Sequence, residues 1–250
     1  MHSHLQYVAP KNALRNKVIL VTGAGDGIGK EAAISYAKLG AEVILLGKTV
    51  EKLEATYDQI IADGGVQPTI VPIDFAGATP KNYTDMAASI EGQFKKLDVV
   101  LFNASVLGNL SPFSEIPEKE FTEVMQVNLN SQFFMVQALL PLLRKTEQAS
   151  VIFTTSSVGS QGRAYWGTYS ISKFATEGMM QVLADEHKNT HVRFNCINPG
   201  GTRTNMRAKA FPGEKASSLL TPADIMPTYH YLAANDSADI NGKTLSCQPK

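Results

Sequence analysis

Short apolar runs, each followed by a longer stretch of helical character, recur along most of the chain: KVILV at 17–21, AEVILL at 41–46, PTIVPI at 68–73, LDVVLF at 97–102, SVIFTT at 150–155 and VRFNCI at 192–197. The runs are apolar at nearly every position instead of every second one, which suits strands covered on both faces. Such strands, separated by helices, imply right-handed crossovers and a parallel sheet. KTLSC at 243–247 adds a seventh strand at the edge. The expected fold class is α/β: a doubly wound, mostly parallel seven-stranded sheet with helices on both faces.

A chain of 250 residues, 44% hydrophobic, can bury one large core, and it shows no linker, internal repeat or low-complexity tract. We expect one domain over 1–250, with 1–15 as an N-terminal extension. Lys+Arg and Asp+Glu both number 23. With zero net charge, no global field draws the molecule to nucleic acid or anionic lipid. No stretch has the roughly 18 apolar residues of a membrane helix, and the N-terminus has no apolar core of a signal peptide. A soluble cytoplasmic protein is expected. Cys196 and Cys247 are far apart and lack CxxC spacing, so they read as reduced structural thiols.

NLNSQFFMVQALLPLL at 128–143 is apolar nearly all round. A helix of this kind is buried on more than one side, and one of those sides fits a second subunit, giving a homodimer or homotetramer. The alternative is that its wide apolar face packs only on its own sheet. The histidines form no constellation. His187 and His191 have metal-pair spacing but Asn189 and Thr190 suggest a turn between them, and His2, His4 and His230 are solitary. No metal site is expected.

Directly after the first strand lies Thr22-Gly23-Ala24-Gly25-Asp26-Gly27-Ile28-Gly29-Lys30, with a helix beginning inside it. A helix N-terminus presents unpaired N–H groups and a partial positive charge, and glycines let a phosphate approach the backbone. The GxxxxGK[ST] pattern fails, because Ala24 stands at its first glycine and Glu31 follows the lysine. GxGxxG also fails, because Ile28 holds its last glycine position. What remains is a nucleotide loop of another kind or a tight turn.

Several motifs in order resolve that choice. TGxxxGIG at 22–29 is followed by Asp74 after the third strand, Asn103-Ala104 after the fourth, Asn128 in VNLN, Ser156 in TTSSVG, Tyr169-x-x-x-Lys173, and Asn198-Pro199-Gly200-Gly201-Thr202 after the sixth. The series resembles the short-chain dehydrogenase/reductase family over nearly the whole chain, and YxxxK with a serine thirteen residues upstream is its most specific part. The resemblance implies a Rossmann-type fold, a nicotinamide dinucleotide and hydride transfer at a carbonyl carbon. It places the cofactor on Gly23, Asp26, Gly27, Ile28, Gly29, Asp74, Asn103, Ala104, Pro199, Gly200 and Thr202, with Tyr169 and Lys173 at the nicotinamide side. It also makes 202–220 a substrate lid.

The chemistry agrees with those residue types. Carbonyl reduction needs a proton donor at oxygen, and Tyr169 can serve as general acid/base. Lys173, one helical turn on, is expected to favour the phenolate and lower the tyrosine pKa. Ser156, at the carboxyl edge of the sheet, would hold the substrate oxygen, with Ser157 its rival. The resemblance gives Asn128 a water that links Lys173 to solvent. Relatives usually read NAG after the fourth strand. Ser105 replaces that glycine, and would be strained if the turn needs a positive φ.

At the end of the second strand, an acidic residue would select NAD by binding its ribose hydroxyls. Lys48 stands there instead, followed by Thr49, and reads as a ligand for the 2′-phosphate, so NADP(H) is preferred over NAD(H). A solvated loop lysine is the alternative, and Asp26, an acid inside the loop, weighs against the phosphate reading. Arg203, Arg207 and Lys209 either meet an anionic substrate or form a solvated helix face. Leu107, Trp166 and Met206 are candidate pocket walls. The expected activity is hydride transfer between NADP(H) and a carbonyl or secondary alcohol, the small-molecule partner. A silent dinucleotide-binding scaffold and an epimerase or dehydratase on the same fold remain as rivals.

Overall fold

The computed structural model describes residues 3–249, so Met1, His2 and Lys250, including the solitary histidine noted above, lie outside the described residues. Seven strands form one sheet: β1 (Val18–Thr22), β2 (Glu42–Gly47), β3 (Thr69–Pro72), β4 (Val99–Phe102), β5 (Ala149–Thr154), β6 (Val192–Asn198) and β7 (Thr244–Ser246), in the order β3-β2-β1-β4-β5-β6-β7. Every pairing is parallel, including β6 with β7, so the sheet is wholly and not mostly parallel.

The continuous apolar runs are explained by two cores, one on each face. Alternate residues of β1 serve different faces. Ile19 and Val21 pack with Val43, Leu45 and the helices α1 (Gly27–Lys38), α2 (Val50–Ala62) and α8 (Met226–Ala233). Val18 and Leu20 pack with Ile44, Val100, Phe153 and the helices α3 (Pro80–Phe94), α5 (Ser131–Leu143) and α6 (Gly167–Glu186). The strand order reverses between β1 and β4, which opens a crevice at their carboxyl ends. The remaining helices are α4 (Glu118–Met125) and the short α7 (Asn205–Ala210).

Two features differ from the simple expectation. The segment before β1 is docked: Leu14 is fully buried, and the Tyr7 hydroxyl donates to Asp236 (2.8 Å) while its ring meets Tyr231 edge-on. Between α4 and α5 the helix widens into a π-turn, Gln126–Asn130. No helix among the described residues is long and apolar enough to cross a membrane.

Candidate active site

The crevice holds a cleft of about 450 Å³ running from the glycine loop to Tyr169. Its glycine-loop end is built on backbone geometry. Gly23 (φ +69°) and Gly27 (φ +53°) adopt left-handed conformations, and a Cβ on Gly29 would stand 2.3 Å from the Gly23 carbonyl oxygen. A larger residue at any of these positions would strain or fill the cradle. Asp26 caps α1 by accepting from the Gly27 amide (2.8 Å). Thr22 Oγ1 accepts from the amides of Asn103 (2.9 Å) and Ala104 (3.0 Å), tying the loop to the end of β4.

Of the expected cofactor residues, Gly23, Asp26, Gly27, Ile28, Lys48, Thr49, Asp74, Asn103, Ala104, Pro199, Gly200 and Thr202 all line the cleft. Gly29 does not; it packs behind the wall, against Gly23 and Asn103. Lys48 is exposed and makes no ion pair with a described residue. Lys52, one turn further along α2, also lines the cleft and bonds the second oxygen of Asp26 at 2.6 Å. That lysine escaped the sequence reading, because a cation in the first turn of an amphipathic helix looks merely solvated. The Asp26 carboxylate is thereby neutralised, and it also accepts from Asn205 Nδ2 at the start of α7 (3.2 Å).

At the other end, Ser156 and Tyr169 share the wall, whereas Ser157 is exposed and outside it. Ser156 is held in extended backbone (φ −155°, ψ 163°) where β5 passes into a 3₁₀ turn. Lys173 is fully buried and does not reach the wall; its Nζ donates to the Thr154 carbonyl (2.8 Å) and lies 5.4 Å from the centre of the Tyr169 ring. Its effect on the tyrosine differs from expectation. Burial pushes the Tyr169 hydroxyl up to about 12, and only the neighbouring Ser105 side chain pulls it back. Burial also lowers Lys173 to about 8. The ammonium stands over the ring face and spends a proton on Thr154, so in this arrangement desolvation outweighs its attraction for a phenolate.

Ser105 itself is unstrained, since it is absent from the positive-φ positions among the described residues. Asn128 lies in the π-turn, fully buried. Its amide accepts from Val106 N (2.8 Å) and donates to Val106 O (2.9 Å) and Ser172 Oγ (3.0 Å). Both donors are therefore committed to holding the β4 loop against α6, and the side chain offers no free N–H for a water.

The segment 202–220, expected to be a lid, is an organised stretch that contains α7. Thr202 bridges to Leu220 at its base. Arg203 donates to the carbonyls of Ala216 (2.8 Å) and Leu219 (3.3 Å). Arg207 forms a two-pronged pair with Glu214 (2.6 and 2.7 Å), and Lys209 is exposed outside the cleft. Leu107, Trp166 and Met206 do form walls. His187 bonds the Leu183 carbonyl and Arg144. No cluster of three or more His, Cys, Asp or Glu able to hold a metal exists among the described residues.

A glycine cradle, a tyrosine and a serine on the wall of the same cleft, and a reversing parallel sheet form the framework of a dinucleotide-binding oxidoreductase. Residues 17–215 match the short chain dehydrogenase family, and the chain belongs to it. The uncharacterized oxidoreductase YciK of Escherichia coli is 51% identical over 245 residues, spanning 98% of this chain and 97% of its own length. A short chain dehydrogenase of Shigella flexneri, solved in complex with NADP, superposes with a TM-score of 0.94 at 51% identity, over 96% of this chain and 100% of that one. One from Escherichia coli, complexed with NADPH, gives the same TM-score of 0.94 and 51% identity, over 96% and 100% of the two chains.

Proposed function

We propose that the protein is an NADP(H)-dependent carbonyl reductase, or the corresponding alcohol dehydrogenase, formed as one domain over 1–250 with 202–220 as its substrate lid. The observation that carries this reading is the pair of hydroxyls, Ser156 and Tyr169, on one wall of a cleft whose far end is a glycine cradle. The cradle fits a dinucleotide pyrophosphate, since its glycines are the positions a Cβ would close. Lys48 at the cleft edge fits a 2′-phosphate, in agreement with the NADP and NADPH that two relatives bind.

Bound NADPH supplies a hydride to the carbonyl carbon. The carbonyl π bond breaks, its electrons pass to oxygen, and Tyr169 delivers its proton there, so that an alcohol and oxidised cofactor result. Ser156 Oγ holds the oxygen during this change and keeps it pointed at Tyr169. Burial keeps the phenol protonated at neutral pH, the form that reduction requires. Solvent entering the open cleft reprotonates Tyr169 after product leaves, while Lys173 braces the end of β5 behind it through the Thr154 carbonyl and Asn128 positions α6 through Ser172.

Tyr169→Phe tests the reading. It removes one oxygen at the reacting centre, and we expect kcat for NADPH-dependent reduction across a panel of dicarbonyls, quinones and aldehydes to fall about 100- to 10,000-fold. NADPH binding should be unchanged. Full activity in Tyr169→Phe, or no turnover of any carbonyl by the wild type, would leave a binding protein or another reaction on this fold. The two free buried thiols suit a reducing compartment, and we place the protein in the cytoplasm, as a homodimer or homotetramer.

A further inference from the structure

Resting on the reductase reading above, the substrate end of the cleft carries information about the compound that enters it. Leu107, Val158 and Tyr169 form a small buried cluster of their own, separate from the two cores, and Leu110, Trp166, Met206 and Ala210 pack against it. Apart from the Ser105, Ser156 and Tyr169 hydroxyls, this cluster offers carbon to the cleft, and the further polar groups that line the cleft, Thr155, Thr204 and Glu123, include a carboxylate that would repel an anion.

Among the described residues, Arg207 is the one cation on this part of the wall, and it is committed. Its guanidinium grips both oxygens of Glu214 and lies 3.8 Å from the centre of the Phe211 ring. Phe211 in turn meets Trp166 at 5.7 Å, and Trp166 meets Tyr169 at 6.0 Å. A guanidinium held by a two-pronged carboxylate bond presents little net charge to a ligand. Arg203 is spent on the carbonyls of Ala216 and Leu219. A carboxylate or phosphate entering here would lose its hydration and find no free cation, a cost that apolar walls cannot offset.

We infer that the substrate is a neutral carbonyl compound with an apolar, aromatic or alicyclic body, and that carbonyls bearing a carboxylate or phosphate are rejected. The apolar body lies against Trp166, Met206 and Leu107, and the carbonyl oxygen between Ser156 and Tyr169. Reduction adds hydride at carbon and the Tyr169 proton at oxygen, giving a neutral alcohol.

Trp166 is the single tryptophan of the chain, so its emission reports on this pocket without any turnover. The full-length protein saturated with NADP is titrated with methyl phenylglyoxylate and with phenylglyoxylate, which share a skeleton and differ in charge. The ester is expected to change Trp166 emission and to bind at least about 10-fold tighter than the acid, a difference of about 1.4 kcal/mol. Glu214→Gln, which unmasks Arg207, should tighten phenylglyoxylate binding about 10-fold and leave the ester unchanged. Acid binding as tight as ester binding in the wild type overturns the inference. So does silence of Trp166 toward both while NADP binds. If the ester binds selectively but NADPH does not reduce it, the assignment of the pocket stands and the reductase reading fails.

Discussion

An acidic residue in a phosphate-binding loop ordinarily repels the anion the loop is shaped for. Asp26 escapes that conflict because Lys52 neutralises one of its oxygens at 2.6 Å while the other caps α1. Lys48 then stands as the uncompensated cation at the cleft edge. Lys48→Asp replaces a charge-assisted contact, worth about 1.5 to 3 kcal/mol, with repulsion. We expect the ratio of kcat/KM for NADPH over NADH to fall by about 10- to 100-fold, measured by steady-state kinetics with both coenzymes, and an unchanged ratio would make Lys48 a solvated loop residue. That Lys48, Ser156 and Tyr169 line one cleft was legible in the sequence, because the first two follow strand ends and the third opens the helix after β5. Lys52 was not, because its meaning depends on Asp26, 26 positions away and across a loop. The direction of the Tyr169 shift was not legible either, since spacing shows that Lys173 is near but not that burial dominates both groups.

At the scale of elements, the strands were readable to within a residue or two because burial on both faces writes a continuous apolar run. The π-turn at Gln126–Asn130 was not, because QVNLN suits either helical register; the Asn128 bonds to Val106 and Ser172 that accompany it are tertiary contacts. Helix α8 holds another contact invisible in sequence. His230 packs against Tyr36, its Nε2 buried without a partner, and burial lowers its pKa from 6.5 to about 4. The unfolded chain therefore binds a proton that the folded one refuses. Stability contributed by neutral His230 is complete above pH 6.5 and lost as pH falls toward 4. The loss reaches at most about 1.4 kcal/mol per pH unit. Denaturant titrations of wild type and His230→Phe across that window should diverge, with the variant shallower by roughly this slope; parallel curves would mean that His230 titrates normally in the fold.

For the whole molecule, the apolar helix at 128–143 raises the question of which surface a second subunit would use. Helix α5 buries Met135, Val136, Leu139, Leu142 and Leu143 within its own subunit, which accounts for most of its apolar character. Exposed apolar side chains on one face of α6 offer another surface. Ile171, Phe174 and Val182 are 37%, 45% and 58% exposed, and Gly178, with open space before it, falls on the same stripe. Positions 171, 174, 178 and 182 follow the i, i+3, i+7, i+11 spacing of one helical face. A glycine midway along it permits a second helix to cross closely, and a two-fold axis there would set each stripe against its own copy. Phe121 on α4 and Phe133 on α5, 40% and 46% exposed, are further apolar groups on helices of this half. A stable dimer needs roughly 800 Å² from each partner, more than one stripe supplies, so neighbouring helices must take part. Because α6 also carries Tyr169 and Lys173, pairing would stiffen the helix that presents the proposed proton donor. We therefore expect wild-type protein to sediment as a dimer or larger, with a Tm that rises with concentration. The double variant Ile171→Asp, Phe174→Asp should sediment as a monomer with a concentration-independent Tm and reduced kcat. A wild type that stays monomeric at every concentration would assign the stripe to some other role and return α6 to the stability of a single chain.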